Sequence, residues 1–272
     1  MSTATRPFRD LRRSGVSIHP TAIVDRTCEL GEDVEIGPYA IVEAGTSIGD
    51  RTRILASAFI GARTAIGADC AVHQFAVLGG PAQIRGVAGP GGGVRIGSNN
   101  IVREHVTIHA ARHPGHQTVI GSDCFLLASC HVAHDCAVGD HVTIANGSLL
   151  AGHVTLEDGA FVSGNVVIHQ FVKVGAHSMI GGLSRVSKDV PPFVVIVGDS
   201  EVRGVNTVGM RRAGMSAAAR QNVRRAYQLV YRSRLNVSQA LARRDELPAT
   251  PEVDAWIAFI RNSTRGICST RR

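Results

Sequence analysis

The sequence predicts a mainly β chain: a parallel β-helix of hexapeptide repeats followed by a small C-terminal α-helical domain. Three observations predict it. An aliphatic residue recurs every six positions, Gly often follows it, and the register is lost near Pro191-Pro192, ahead of two stretches with helical spacing.

The repeat starts at Ile18 and runs through Val24, Leu30, Ile36, Val42, Ile48, Ile54, Ile60, Ile66 and Val72 to Leu78. After the Gly/Pro-rich segment GGPAQIRGVAGPGGG it resumes at Ile96, Val102 and Ile108. A second interruption, AARHPGHQTV, precedes an unbroken run from Ile120 to Val186. All 26 positions hold Ile, Leu or Val, and Gly follows at eleven of them, among them 31, 61, 121 and 181. A period of six suits neither an amphipathic helix nor an alternating strand. It suits a coil of three short strands whose aliphatic residues point into a narrow prism. Gly after the inward residue is expected to supply backbone conformations that a Cβ resists. The expected layout is a flexible basic tail over 1–16, the β-helix over 17–197 with loops near 79–95 and 110–119, and the helical domain over 198–272.

Five of the six cysteines, Cys28, Cys70, Cys124, Cys130 and Cys136, occupy the fifth place of their hexads. One shared structural slot is what packing produces, so neither a disulfide framework nor a metal role is expected of them.

Beyond the repeat, Val223, Tyr227 and Val230 fall at helical spacing. The segment TPEVDAWIAFIRNSTRG offers Thr250 as a cap, Pro251 in the first turn, an apolar stripe through Val253, Trp256, Ala258 and Ile260, and Gly266 as a stop. The net charge of +7 is concentrated here: residues 201–272 hold fourteen Arg, no Lys and five acids. Such a surface suits an anionic partner, and it is also what a solvated helical face looks like. The first sixteen residues carry Arg6, Arg9, Arg12 and Arg13 without an apolar core, unlike a signal peptide. With no run long enough to cross a bilayer, a cytoplasmic protein without stable membrane insertion is expected.

With three hexads per coil, residues eighteen apart share a face. The hexads starting at 108, 132, 150 and 168 then stack, and they carry His109, His134, His153 and His169, with His131 at the adjoining corner. Five of twelve histidines on one strip indicate a functional lining, either metal-binding or a general base with electrostatic support. Hexapeptide β-helices that bind zinc, the gamma-type carbonic anhydrases, space two ligand histidines five residues apart. No pair here has that spacing, so no metal and no cofactor are expected. A base needs its second ring nitrogen held. Asp135 is adjacent to His134, but strand neighbours point to opposite faces, so their pairing requires a corner or a contact across subunits.

The segments IHPTAIVD, IGPYAIV, REHVTIH, HVAHDCAVGD, AGHVTLED, VIHQFVKVGAHSMIGG, KDVPPFVV and AYQLVYRS, with STRG near the end, resemble the acyl-carrier-protein–UDP-N-acetylglucosamine O-acyltransferases of lipid A biosynthesis. The likeness runs from about residue 17 to 268. It implies a left-handed β-helix and a homotrimer with active sites between subunits, so that the neighbouring chain's packing would settle Asp135. It implies His134 as the base that deprotonates the glucosamine 3-hydroxyl, Asp135 as its orienting partner and Gly152 as a main-chain donor to the oxyanion. His109, His131, His153, His169 and Gln170 match residues around the sugar nucleotide and reacting groups, Arg212 an arginine near the diphosphate, and Met179 a further substrate contact. Gly182 matches the position that measures the acyl chain, where Gly implies a 3-hydroxyacyl chain of about fourteen carbons rather than ten. Gly required by the hexad backbone is the competing explanation. The partners implied are acidic acyl carrier protein, docking on the Arg-rich end, and UDP-N-acetylglucosamine, with no nucleic acid.

Two departures bear on the acceptor. The family's first loop carries Asp-x-Lys and a Gly-Glu pair, whereas this loop reads PAQIRGVAGPGGG with Arg85 as its base. The tail's arginine pair is displaced to Arg211-Arg212, with Ala213 after it. An alternative acceptor is therefore a different UDP-amino sugar.

Overall fold

The computed structural model describes residues 15–85 and 91–270. Most of the expected basic tail, through residue 14, lies outside the described residues, as do residues 86–90 of the first loop.

Short strands wind into a left-handed parallel β-helix, as the family resemblance implies. Among the described residues they stack into three sheets of eleven, nine and eight strands. Through Arg185–Val186 successive strands step from the first sheet to the second to the third, and each pairs in parallel with the strand one coil away. The register is strict: Ile36 aligns with Ile54, Val132 with Leu150, and Leu150 with Ile168. All the inward aliphatic positions are buried except Ile18 and Val24, which lie half-buried in the first coil. Each buried Ile, Leu or Val contributes about 1.5–3 kcal/mol of apolar transfer, so aliphatic side chains alone can hold the prism.

A second inward position, two residues earlier, accepts only small side chains because it lies beside a corner. It holds the five cysteines together with Thr46, Thr52, Thr118 and Ser148, all buried. Polar members turn their donors to nearby carbonyls: Thr52 Oγ1 to Gly67 O at 2.8 Å, Cys136 Sγ to Ala151 O at 3.1 Å.

The reason for Gly after the inward residue differs from the one expected. Apart from Gly79, at φ +82°, these glycines do not adopt left-handed backbone angles; that conformation belongs to the residue two places later, mostly non-Gly, as in Asp33, Ser57, Asp135 and His153. What excludes a side chain is the closeness of the coils. A Cβ on Gly121 would stand 2.6 Å from the backbone of Gly139.

The chain leaves the prism twice, between the strands Val77–Gly80 and Gly93–Ile96 and between Thr107–His109 and Gln117–Ile120. After Val194–Val197 an antiparallel strand, Glu201–Val205, leads to four α-helices: α1 (Thr207–Arg212), α2 (Ala217–Tyr231), α3 (Val237–Ala242) and α4 (Pro251–Arg261). Buried Val223, Tyr227 and Val230 line α2. In α4 the buried stripe is Val253, Trp256, Ile257 and Ile260; Ala258 faces outward. Trp256 is fully buried and donates to Pro192 O at 2.8 Å, which ties the helices to the top of the prism. Thr250 holds the N-cap position without a side-chain cap bond, so Pro251 and the acids Glu252 and Asp254 mark the start of α4. The helix stops at Arg261, before Gly266, because the following residues turn back to bridge Ile267 to Asp189.

Candidate active site

The four hexads expected to share a face do so: Thr107–His109, His131–Val132, Leu149–Leu150 and Val167–Ile168 are consecutive neighbours in the second sheet. Their histidines form two contacting pairs. His109 and His131 meet edge to face with ring centroids 4.8 Å apart, and His134 and His153 do so at 5.2 Å. His131 belongs to the strand itself rather than to the preceding corner, and its Nδ1 lies 2.7 Å from Thr107 Oγ1.

His134 and Asp135 pair within one chain. The corner, not a neighbouring subunit, resolves the geometry that strand alternation forbids. Asp135 adopts φ +60°, which turns its carboxylate back so that His134 Nδ1 stands 2.7 Å from Oδ2. The main-chain N–H of Arg112 donates to the same oxygen at 3.1 Å. Burial raises the Asp135 carboxyl, but the bonds from His134 and Arg112, with the charges of His153 and His134, outweigh it and hold the group below its ordinary pKa. An ionised carboxylate only accepts, so Nδ1 carries a proton and Nε2 is the ring nitrogen left to act as a base.

Burial, with the neighbouring His131 and His134, depresses His109 to about 4. Burial and His134 also lower His131. Both rings are therefore uncharged at neutral pH, and Asp135 is the fixed charge beside the base.

Gly152 lies against the His134 ring; a Cβ there would stand 2.7 Å from Nε2. At the equivalent turn position some N–H groups are capped by a side chain, as Ser122 is by Asp140 and Asp140 by Asp158, whereas those on the edge of the dyad, as at His134 and Gln170, are left open among the described residues. The Gly152 N–H has no such partner among the described residues. A free main-chain donor thus lies beside the ring that bears the candidate lone pair.

His153 stacks on Phe171 with centroids 4.6 Å apart. His169, exposed one coil further on, is 3.2 Å from the guanidinium of Arg265 and 3.2 Å from the carbonyl of Gln170. Arg265 lies 96 residues away in the chain. Phe171, Arg265, Thr107 and Thr118 are neighbours that the sequence reading missed. The STRG segment was visible as a motif without a stated role for its arginine.

Met179 and Arg212 are brought together, but away from the dyad. They line a cavity of about 500 Å³ with Phe161, His141, His177 and Asn206. That cavity opens on the edge between the third and first sheets, whereas His134 stands between the second and third. Gly182 sits at the remaining edge. Its nearest neighbour to an added Cβ is Gly164 O at 3.4 Å, an ordinary contact, and its φ lies outside the left-handed region.

Among the described residues, His134, Asp135 and His153 form a group whose ligand atoms lie within 4.8 Å of one another. Two ligands of one tetrahedral zinc, each about 2.0–2.1 Å from it, stand roughly 3.3 Å apart. The 2.7 Å between Nδ1 and Oδ2 is instead the distance of a shared proton.

Comparison with known proteins follows the same architecture. The family described as bacterial transferase hexapeptide (six repeats) matches residues 27–62 and 117–152, and the one described as UDP N-acetylglucosamine O-acyltransferase, domain 2, matches 189–268. The acyl-[acyl-carrier-protein]–UDP-N-acetylglucosamine O-acyltransferase of Paracidovorax citrulli is 52% identical over 92% of this chain and 98% of its own. Its counterpart from Halorhodospira halophila is 45% identical over the same shares. The solved UDP-N-acetylglucosamine acyltransferase of Bacteroides fragilis superposes with a TM-score of 0.89 at 37% identity, over 92% of this chain and 99% of that one. With both parts of the fold matched in order and nearly the full length aligned, the chain belongs to the acyl-[acyl-carrier-protein]–UDP-N-acetylglucosamine O-acyltransferase family.

Proposed function

We propose that this enzyme transfers a 3-hydroxyacyl chain from acyl carrier protein to the glucosamine 3-hydroxyl of UDP-N-acetylglucosamine, the first step of lipid A biosynthesis. The observation that carries the chemistry is the His134–Asp135 pair beside the unpartnered Gly152 N–H. Nε2 of His134 takes the hydroxyl proton as the oxygen attacks the thioester carbonyl. The new C–O bond forms, negative charge develops on the carbonyl oxygen, and the Gly152 N–H donates to it. Collapse breaks the C–S bond, and the imidazolium returns its proton to the leaving thiolate. A thioester is already activated, so a base contributing about 10²–10⁴-fold and one oxyanion donor contributing about 10²–10³-fold are sufficient additions to orientation.

A homotrimer completes the substrate site. Met179 and Arg212 lie on a different edge from the dyad, so one protomer's cavity must face its partner's histidines for all of them to touch one substrate. Outward apolar side chains on the second sheet, with Ile23 at 65% exposure and Leu149 and Val167 above 40%, supply surface for that contact. The Arg-rich helical end suits an acidic carrier protein. No helix among the described residues is long and apolar enough to cross a membrane, and we place the enzyme in the cytoplasm.

The test is mass spectrometry of reactions containing 3-hydroxyacyl carrier protein and UDP-N-acetylglucosamine. A mono-acylated nucleotide sugar made by the parent and lost in His134→Ala is expected. Undiminished transfer by the variant would overturn the base, and product only with another UDP-amino sugar would replace the acceptor.

A further inference from the structure

Along the edge that carries the dyad, left-handed corner residues stack one coil above another. Arg63, His153 and Phe171 each donate their N–H to the main-chain carbonyl of the coil below, at Ala44, His134 and Gly152, with distances of 3.3, 3.1 and 3.1 Å. Asp135 does not. Both excursions, 81–92 and 110–116, leave from this edge, so the coil beneath Asp135 has no corner and no carbonyl to offer. The buried hydroxyl of Thr118 takes its place, accepting the Asp135 N–H at 2.8 Å. A threonine hydroxyl makes the same replacement at the end of the helix, where Gly45 donates to Thr27 Oγ1 at 3.0 Å.

Removing the corner has a second effect. It lets the Arg112 N–H reach the Asp135 carboxylate instead of being used inside the coil. The first excursion fixes that peptide: Gly92 donates to Ala111 O at 2.7 Å and Ala111 to Gly93 O at 3.2 Å. Gly92 must be Gly, since a Cβ would stand 2.2 Å from His116 O and 2.6 Å from His113 O. Asp135 is thus held at both ends by the second excursion and the strand that follows it, its carboxylate by Arg112 on the excursion and its amide by Thr118 on the strand.

We propose that Thr118 is a positioning residue for the acyl transfer, acting through Asp135 on His134, with the Arg112 amide as its complement. The inference rests on the His134–Asp135 reading above. Without the hydroxyl, the Asp135 N–H is buried unpaired, the corner relaxes, and the carboxylate leaves the line of Nδ1.

The experiment compares Thr118→Val, Thr118→Ser and Asp135→Asn, singly and with Thr118→Val in the Asp135→Asn background. Thr118→Val is expected to lower kcat about tenfold or more, with KM for both substrates within about twofold, and to move the acid limb of the pH–rate profile to lower pH as the imidazolium loses its carboxylate. Thr118→Ser keeps the hydroxyl and is expected to restore both. In the Asp135→Asn background Thr118→Val is expected to cost nothing further, since residues acting through one contact are not additive. An unchanged kcat and acid limb in Thr118→Val, or its full cost persisting beside Asp135→Asn, would sink the proposal. Should Thr118→Val fail to fold, Arg112→Pro on the exposed loop removes the second donor, and a several-fold loss of kcat that vanishes beside Asp135→Asn is the expected result; no loss overturns the inference. A fully active Asp135→Asn enzyme would instead sink the dyad reading itself.

Discussion

Gly152 and His134 are locked face to face: a Cβ at residue 152 would stand 2.6 Å from Cε1 of the imidazole. The glycine is therefore set by the ring that covers it, and the ring's position by the absence of a side chain. Gly152→Ala keeps the main-chain N–H, so it separates the ring's placement from the oxyanion donor. With φ outside the left-handed region the backbone accepts Ala, and the Tm should stay close to the parent's. Activity should fall about 10²-fold or more as Nε2 is pushed from the attacking hydroxyl. Steady-state kinetics beside a thermal melt check this; parental kcat in a folded variant would show that the ring needs no such seat.

The dyad was half legible in the sequence. The repeat of six placed His134 and His153 on adjacent coils because every inward residue of the prism must be aliphatic, and the alignment of Val132 with Leu150 bears that out. Alternation along a strand could not pair His134 with Asp135, because Asp135 is on a corner at φ +60° where alternation does not apply. Arg112 was invisible for another reason: it acts through a peptide N–H, which every residue but Pro possesses. Thr118 sat in plain view in the same small slot as the cysteines, but no sequence rule shows that the corner below it is missing. The stripe of α4 failed by one residue, Ala258 for Ile257: the i, i+3, i+4, i+7 spacing from Val253 runs through Trp256, Ile257 and Ile260, and it is Ile257 that the packing buries.

His109 makes folding stability depend on pH. Its folded pKa of about 4 lies below the ordinary value near 6.5, so between those values the unfolded chain binds a proton that the folded chain refuses. The stabilisation is complete above about pH 6.5 and is lost as the pH falls toward 4. His109→Phe removes the titration while keeping a ring in the slot. Urea midpoints measured from pH 7.5 to 4.5 should fall less steeply in the variant than in the parent, and parallel curves would place the acid sensitivity elsewhere.

The cysteines should be inert in the folded protein. Burial pushes Cys124 up to about 11 and Cys130, Cys136 and Cys268 up to about 12, and all six thiols are buried. The thiolate is the reactive form, so at pH 8 a thiol reagent should titrate essentially none before unfolding and six after it in denaturant. Rapid labelling of a native cysteine, located by peptide mass spectrometry, would identify a coil that opens.

Gly182 separates the two explanations its hexad allowed. A Gly demanded by the backbone would show a left-handed φ or a clash at Cβ, and it shows neither, with 3.4 Å to Gly164 O. The position is free to take a side chain, so the backbone does not require Gly, and the acyl chain is the explanation left to test. Gly182→Met should then fold with an unchanged Tm and shorten the acyl chain that the enzyme prefers. The kcat/KM ratio for 3-hydroxyacyl carrier proteins of about fourteen against ten carbons should fall at least tenfold, since one misfit methylene in an apolar groove already discriminates by about 10–200-fold. A competition assay with both donors in one tube reads the ratio directly. If it stays at the parental value in a folded variant, the acyl chain runs elsewhere, and the cavity beside Met179 and Phe161 becomes the place to substitute next.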